Sequence, residues 1–191
     1  MSAEGCLSFK PVTAATRADF EALFESPGGP KYCWCMAWRT TAAEARSLSG
    51  PERRPLMLSR IERGEPVGLL GYAEGLPVAW VSIAPKETYN RLGGPEPAPD
   101  EHVWSLACMY IPRRLRGQGL AHALIGAAVD HARQQGATVV EAYPVDPASP
   151  SYRFMGFVPA FEQAGFEALG VAGSRRQVMR LTLSPPGRAE R

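Results

Sequence analysis

The chain has 191 residues and a formal net charge of +2 at neutral pH, and 45% of its residues are hydrophobic. This length suits one domain that buries its own core, and the composition excludes a disordered chain. The small charge argues against nucleic acid or an anionic membrane as a partner, and no apolar run approaches the length that crosses a bilayer.

The N-terminus lacks the charged and apolar regions of a secretion signal, and the cysteines lack the spacing of a secreted disulfide framework. We therefore expect a cytoplasmic protein with reduced thiols. The four cysteines are Cys6, Cys33, Cys35 and Cys108.

The first half of the chain predicts a strand, two helices and a pair of strands. The strand covers Leu7 to Val12, and Thr16-Arg17-Ala18-Asp19 resembles a capping box that opens the first helix. The turn-rich, aromatic segment 26–41 is predicted as a loop. A second helix is predicted from Pro51 to Arg63, and residues 67–84 read as a hairpin.

The second half predicts a long strand followed by alternating helices and strands. These are a strand from Val103 to Ile111, an amphipathic helix ending at Gly136, a strand at 137–143, a short helix turning at Gly165, and strands near Phe166 to Leu169 and Gln177 to Leu183. The order predicts one mixed α/β domain over residues 1–184, with a flexible tail at 185–191.

The segment Arg116-Gly117-Gln118-Gly119-Leu120-Ala121 joins the long strand to the amphipathic helix. The first turn of a helix carries N–H groups without intrahelical partners, and glycine lets an anion approach the backbone closely. A Rossmann turn needs glycine or alanine where this chain has His122, and no P-loop spacing exists. The segment predicts a pyrophosphate site with added contacts from Arg114 and Arg116; the alternative is a helix start with solvated arginines.

These residues resemble the R/Q-x-x-G-x-G/A motif of the GNAT N-acetyltransferase superfamily. The order of elements from Leu7 to Leu183 and the segment AFEQAGF at 160–166 resemble the same family. The resemblance implies an α/β (mixed α+β) fold with a central, mostly antiparallel, splayed sheet of about seven strands flanked by about four helices. It also implies acetyl-CoA as the acyl donor and direct attack by an amine in a ternary complex.

The resemblance further implies that the pantetheine arm lies between the strand at 106–111 and the strand at 138–143. A backbone N–H of the first strand would then stabilise the oxyanion. The implied cofactor-binding residues are Met109, Tyr110, Ile111, Arg114, Arg116, Gly117, Gln118, Gly119, Leu120, Ala121 and His122.

An alkylammonium, with a pKa of about 10.4, must lose a proton before it attacks. Glu141 is the first candidate base because its strand lines the splay; the alternative is that it faces solvent or pairs with an arginine. Weaker candidates are Glu101, His102 and Asp146. The tyrosine that protonates the leaving thiolate in many family members aligns with Phe161. Either Tyr152 or Tyr143 replaces it, or the thiolate leaves unaided.

The segment Cys33-Trp34-Cys35-Met36-Ala37-Trp38-Arg39 is a poor match to a zinc site, so no metal is predicted. Its residues either pack in the core or wall the acceptor site, and Trp34 and Trp38 are the candidate substrate-binding residues. The predicted acceptor is a primary amine of a small molecule. The alternatives are a non-catalytic acetyl-CoA sensor and a protein or peptide acetyltransferase, and family members often form homodimers.

Overall fold

A computed structural model describes residues 7–183, so the predicted tail at 185–191 lies outside the described residues. The strands are β1 (Ser8–Pro11), β2 (Leu69–Ala73), β3 (Leu76–Pro85), β4 (Val103–Tyr110), β5 (Val139–Ala142), β6 (Glu167–Ala172) and β7 (Arg176–Thr182). The α-helices are α1 (Arg17–Glu25), α2 (Ala42–Ser47), α3 (Gly50–Glu62), α4 (Leu120–Gln134) and α5 (Val158–Gln163). Short 3-10 helices lie at Lys86–Thr88, Arg113–Leu115 and Arg153–Met155.

The seven strands form one sheet in the order β1-β2-β3-β4-β5-β7-β6. The β4–β5 pair is parallel and the other neighbours are antiparallel. Pairing between β4 and β5 runs only from Val103 opposite Val139 to Leu106 opposite Ala142. Because β4 continues to Tyr110 without β5 beside it, the sheet opens into a V-shaped gap at its centre.

Helices cover both faces of the sheet, since side chains on a strand alternate between its faces. Trp80 on β3 packs with α1 and α3 in one core cluster, whereas its neighbour Val81 packs with α4 and α5 in another. The predicted splayed, mostly antiparallel sheet of about seven strands is confirmed. No helix within residues 7–183 has both the length and the apolar character needed to cross a bilayer.

Two local expectations were wrong. Thr16 does not cap α1 through its side chain; its hydroxyl instead donates to the Pro11 carbonyl and accepts from the Thr13 N–H. Helix α2 was not predicted, although Thr41 and Glu44 form a capping box at its start. The T-x-x-E signature was present, but six residues give too little hydrophobic periodicity to reveal a helix.

Candidate active site

The gap between β4 and β5 opens into a cavity of about 820 Å³. One wall runs from Ala107 to Ile111, beyond the point where β4 stops pairing with β5, and one end is the turn that opens α4. The opposite end of the cavity, which we call the far end, is lined by Tyr32, Cys33, Cys35, Trp38, Ser82 and Tyr89. One continuous space therefore runs from the glycine-rich turn to an aromatic and thiol-bearing end.

A β-bulge marks the point where the cavity begins. Ser82 on β3 lies opposite Cys108, but the next residue, Ile83, lies opposite Leu106, which leaves Ala107 as the extra residue. Bulges bend a strand and re-aim its groups. Since pairing with β5 also ends at Leu106, the bulge and the splay coincide, and the following β4 backbone is available to a ligand.

The turn before α4 presents backbone N–H groups in a geometry suited to an anion. Gly117 and Gly119 have φ of +76° and +79°, and a Cβ added at either would meet no atom within 4 Å. No residue described by the structure accepts a hydrogen bond from the backbone N–H groups of residues 117–122. These donors stand at the positive end of a 15-residue helix, which is the usual place for a phosphate group.

Eight of the eleven predicted cofactor-binding residues line the cavity: Met109, Tyr110, Ile111, Arg116, Gly117, Gly119, Leu120 and Ala121. The other three, Arg114, Gln118 and His122, do not line it and are exposed. Arg116 Nε donates to the Ile111 carbonyl at 2.9 Å, and Gln118 Nε2 donates to the Arg114 carbonyl at 3.3 Å. Both side chains thus stabilise the turn itself.

A buried tyrosine, which the sequence analysis missed, lines the far end. The Tyr89 hydroxyl accepts a hydrogen bond from Arg39 Nη2 at 2.9 Å and lies 3.0 Å from Ser82 Oγ. Ser82 is the register partner of Cys108, so this hydroxyl lies beside the bulge on β4. Burial raises the pKa of Tyr89, which keeps the phenol protonated at neutral pH. No sequence motif marks Tyr89, because it follows a 3-10 turn in a segment rich in proline and glycine.

Three cysteines line the cavity together. Cys35 Sγ lies 3.3 Å from Cys108 Sγ and accepts a hydrogen bond from the Trp80 indole N–H at 3.0 Å. Burial raises the pKa of the Cys35 thiol, and the hydrogen bond with Cys35, together with burial, raises the pKa of the Cys33 thiol. The thiols of Cys33 and Cys35 therefore stay neutral and act as small apolar groups. Within residues 7–183 no three metal-ligating side chains converge on a metal site.

The two predicted substrate-binding tryptophans have different positions. Trp34 is 2% exposed and stacks on Phe24 at a ring separation of 5.3 Å, so it packs in the core, which was the alternative to its predicted place in the acceptor wall. Trp38 lines the cavity, with the Arg176 guanidinium 4.4 Å from its ring centre. Its buried indole nitrogen has no hydrogen-bond partner in the described part of the chain.

Glu141, the predicted base, does not line the cavity and forms an ion pair with an arginine, which was the alternative expectation for it. It is fully buried and level with Ser105, in the part of β5 that is still paired with β4. Lys86 Nζ and Arg180 Nε hold its two oxygens at 2.7 and 2.6 Å, and the Tyr143 hydroxyl donates to it. The weaker candidates Glu101, His102 and Asp146 do not line the cavity either.

The two predicted proton donors do not line the cavity either. Tyr152 is 38% exposed and does not line the cavity, and Tyr143 is committed to Glu141. Phe161 is fully buried and packs edge-on against Phe166. Among the described residues, the tyrosines that do line the cavity are Tyr32, Tyr89 and Tyr110, and the Tyr89 hydroxyl lies 3.0 Å from Ser82, the residue opposite Cys108 at the bulge.

Comparison with known proteins supplies the context for this geometry. A family model described as Acetyltransferase (GNAT) family matches residues 17–157. No curated protein matches the sequence at a significant level.

Several solved structures share the fold. A GCN5-related N-acetyltransferase from Kribbella flavida superposes with a TM-score of 0.59 at 17% identity, over 93% of this chain and 98% of its own. A ribosomal-protein-alanine N-acetyltransferase from Brucella melitensis gives 0.56 at 21% identity, over 92% and 99%. A protein from Salmonella typhimurium, solved with its cofactor acetyl-CoA, gives 0.55 at 19% identity, over 96% and 98%.

Proposed function

Because the chain belongs to the GNAT acetyltransferase family, we propose that it transfers an acetyl group from acetyl-CoA to a primary amine of a small molecule. The observation that carries this proposal is the single cavity. It joins the anion-binding start of α4 to an aromatic far end along the unpaired part of β4.

The chain offers acetyl-CoA two kinds of contact. The free N–H groups at residues 117–122 and the guanidinium of Arg116 suit the pyrophosphate. The β4 backbone from Met109 to Ile111, which has no strand beside it at the gap, suits the amide groups of the pantetheine arm. This arrangement brings the thioester to the bulge at Ala107 and Cys108.

At the bulge the chain can assist both halves of the transfer. A β4 N–H beside Ala107 stabilises the oxyanion that forms when the amine nitrogen attacks the carbonyl carbon. Tyr89, protonated and next to Cys108, donates the proton that the departing CoA sulfur takes with its electron pair. In this proposal Tyr89 takes the role for which the sequence offered Tyr152, Tyr143 or unaided departure of the thiolate.

The shape of the far end favours a small acceptor over a protein chain. Of its residues, Cys35, Ser82 and Tyr89 are each less than 9% exposed, as is Cys108 on the adjoining wall. A side chain or peptide terminus would need an open groove to reach these residues, whereas a small aromatic or apolar body fits a cavity with a few polar groups.

A non-catalytic acetyl-CoA sensor is the second candidate, and buried Phe161 in place of the family's tyrosine favours it. A sensor would bind acetyl-CoA without releasing thiol in the presence of amines.

One experiment tests both candidates. The purified protein is titrated calorimetrically with acetyl-CoA, with NADH and ATP as controls, and then incubated with acetyl-CoA and an amine panel while acetylated products are detected by mass spectrometry. Micromolar binding of acetyl-CoA alone and an acetylated amine support the enzyme. Binding without any product supports the sensor, and no binding removes both.

A further inference from the structure

The charged residues that line the cavity all carry the same sign. Three arginines line it, namely Arg53, Arg116 and Arg153, and no aspartate, glutamate or histidine within residues 7–183 does. Arg53 lies at the far end, where it donates to the Tyr32 carbonyl at 3.0 Å. An acceptor that enters as an ammonium ion would meet the Arg53 guanidinium near Tyr32. Among the described residues it would find no carboxylate in the cavity to compensate for the hydration that it loses.

Two further arginines stand behind the far end. Arg39 is 3% exposed and donates to Tyr89 and to Ser82, and Arg176 is 8% exposed and lies against Trp38. Neither forms an ion pair with a carboxylate in the described part of the chain. Trp38, the aromatic face best suited to a substrate cation, is thus already engaged by a guanidinium.

The cavity also lacks a group that would remove a proton from an ammonium. Glu141, the buried carboxylate nearest to the gap along β5, is neutralised by Lys86 and Arg180. Raised pKa values keep the hydroxyl of Tyr89 and the thiols of Cys33 and Cys35 in their neutral, protonated forms, and such forms are weak bases. For an alkylamine, whose pKa is about 10.4, only about one molecule in 2,500 is neutral at pH 7.

We propose that the acceptor is a weakly basic aromatic amine that is uncharged at neutral pH. The ring would lie among the side chains of Tyr32, Trp38 and Tyr89, since aromatic groups pack favourably against one another. This inference rests on the proposed acetyltransfer and specifies its substrate class.

The acetylation of such an amine needs no separate base, because no proton is left over when the reaction is complete. The amine nitrogen forms a bond to the acetyl carbon, and the bond from that carbon to sulfur breaks, with the electron pair staying on sulfur. Tyr89 gives its proton to the sulfur, and the tyrosine oxygen then takes up one N–H proton from the amine. The products are an N-aryl acetamide and CoA thiol, and Tyr89 is protonated again at the end.

The test uses two isomeric amines. p-Toluidine and benzylamine have the same atoms and a similar size, but at pH 7 the first is neutral and the second is an ammonium ion. We expect a kcat/KM at least about tenfold higher for p-toluidine at pH 7, nearly constant from roughly pH 6.5 to 8.5. For benzylamine we expect a kcat/KM that rises about tenfold per pH unit, because only the deprotonated fraction reacts.

A matched pair of variants tests whether the absence of a carboxylate from the cavity disfavours ammonium acceptors. Cys33 is half-buried and lines the far end, so Cys33→Asp adds an anion there and Cys33→Asn adds a neutral group of the same shape. We expect Cys33→Asp to raise kcat/KM for benzylamine by about tenfold over Cys33→Asn, because a carboxylate favours the ammonium and can take its proton.

The outcomes are distinct. Preference for p-toluidine with the stated pH profiles supports the inference. Preference for benzylamine at pH 7, or a flat benzylamine profile, overturns it and leaves the acetyltransferase standing. Acetylation of neither isomer and of no alkylamine overturns the inference together with the proposed function.

Discussion

Arg180 Nε lies 2.6 Å from Glu141 Oε2 in an ion pair whose carboxylate is completely buried. Lys86 Nζ holds the other oxygen at 2.7 Å. Arg180 also contacts Glu101, so two acidic and two basic side chains form one network. The network ties β5 and β7 to the segments that follow β3 and precede β4, so Glu141 contributes to the structure around the gap.

The first prediction concerns stability. Glu141→Gln leaves Lys86 and Arg180 without their shared counter-charge, and breaking a buried pair in this way costs about 3–5 kcal/mol. We expect a clearly lower melting temperature, with turnover per folded molecule within about twofold of the parent. Exposed Glu162, which forms no ion pair in the described chain, provides the control as Glu162→Gln. Lost turnover at an unchanged melting temperature would return Glu141 to the role of base.

The glycine-containing turn before α4 and the order of the elements followed from the sequence because both depend on local signals. Gly117 and Gly119 stand between a strand and an amphipathic helix, and backbone conformation at such a turn requires glycine. The hydrophobic periodicity of the sequence then identified the strand before the turn, β4, and the helix after it, α4.

The far end of the cavity did not follow from the sequence, because its residues come together only through tertiary packing. Trp34 and Trp38 lie four residues apart in one loop, yet one enters the core and the other lines the cavity. Glu141 was misplaced because the point where β4 and β5 part is decided by pairing, which the sequence does not display. Tyr89 was missed since only its contacts with Arg39 and Ser82 reveal it.

The second prediction tests the turn. Gly119→Ala adds a methyl group where no protein atom lies within 4 Å, so the only new contact is with a bound ligand. We expect acetyl-CoA to bind at least about tenfold more weakly, measured by calorimetry, because the methyl group keeps the phosphate away from the N–H groups.

The matched control is Gly75→Ala. Gly75 has φ of +78° and open space around it, so its substitution introduces the same backbone strain in the β2–β3 turn, away from the cavity. Equal losses of acetyl-CoA affinity in the two variants would assign the effect to strain and remove the phosphate site from this turn.

The third prediction concerns the proton donor. Tyr89→Phe removes one hydroxyl beside the bulge and keeps the ring, so we expect kcat to fall by about 10²-fold while acetyl-CoA affinity changes little. Tyr72→Phe is the control, because Tyr72 is also buried and hydrogen-bonded, to Asp19 at 2.8 Å, but does not line the cavity. Tyr152→Phe separates the two tyrosine hypotheses: a large loss there with an active Tyr89→Phe variant would restore the sequence-based assignment.

The fourth prediction concerns the thiols that line the cavity. The pKa of Cys35 is raised by burial and that of Cys33 by its hydrogen bond with Cys35, so very little thiolate forms at neutral pH. We expect both to react with iodoacetamide at pH 7.5 at least about 100-fold more slowly than free cysteine, whose pKa is about 8.5. The rate should rise about tenfold per pH unit to the highest pH at which the protein stays folded, because the reagent attacks only thiolate.

Peptide mapping by mass spectrometry reads each cysteine separately, so modification of Cys6, which lies outside the described residues, does not confuse the result. Saturating acetyl-CoA should slow the reaction at Cys108, whose backbone forms the wall along which the pantetheine arm is proposed to lie. Rapid labelling of Cys33 or Cys35 at pH 7.5 would mean that the cavity holds a thiolate. A covalent acetyl-cysteine route would then replace direct attack by the amine, because a thiolate next to the thioester is the stronger nucleophile.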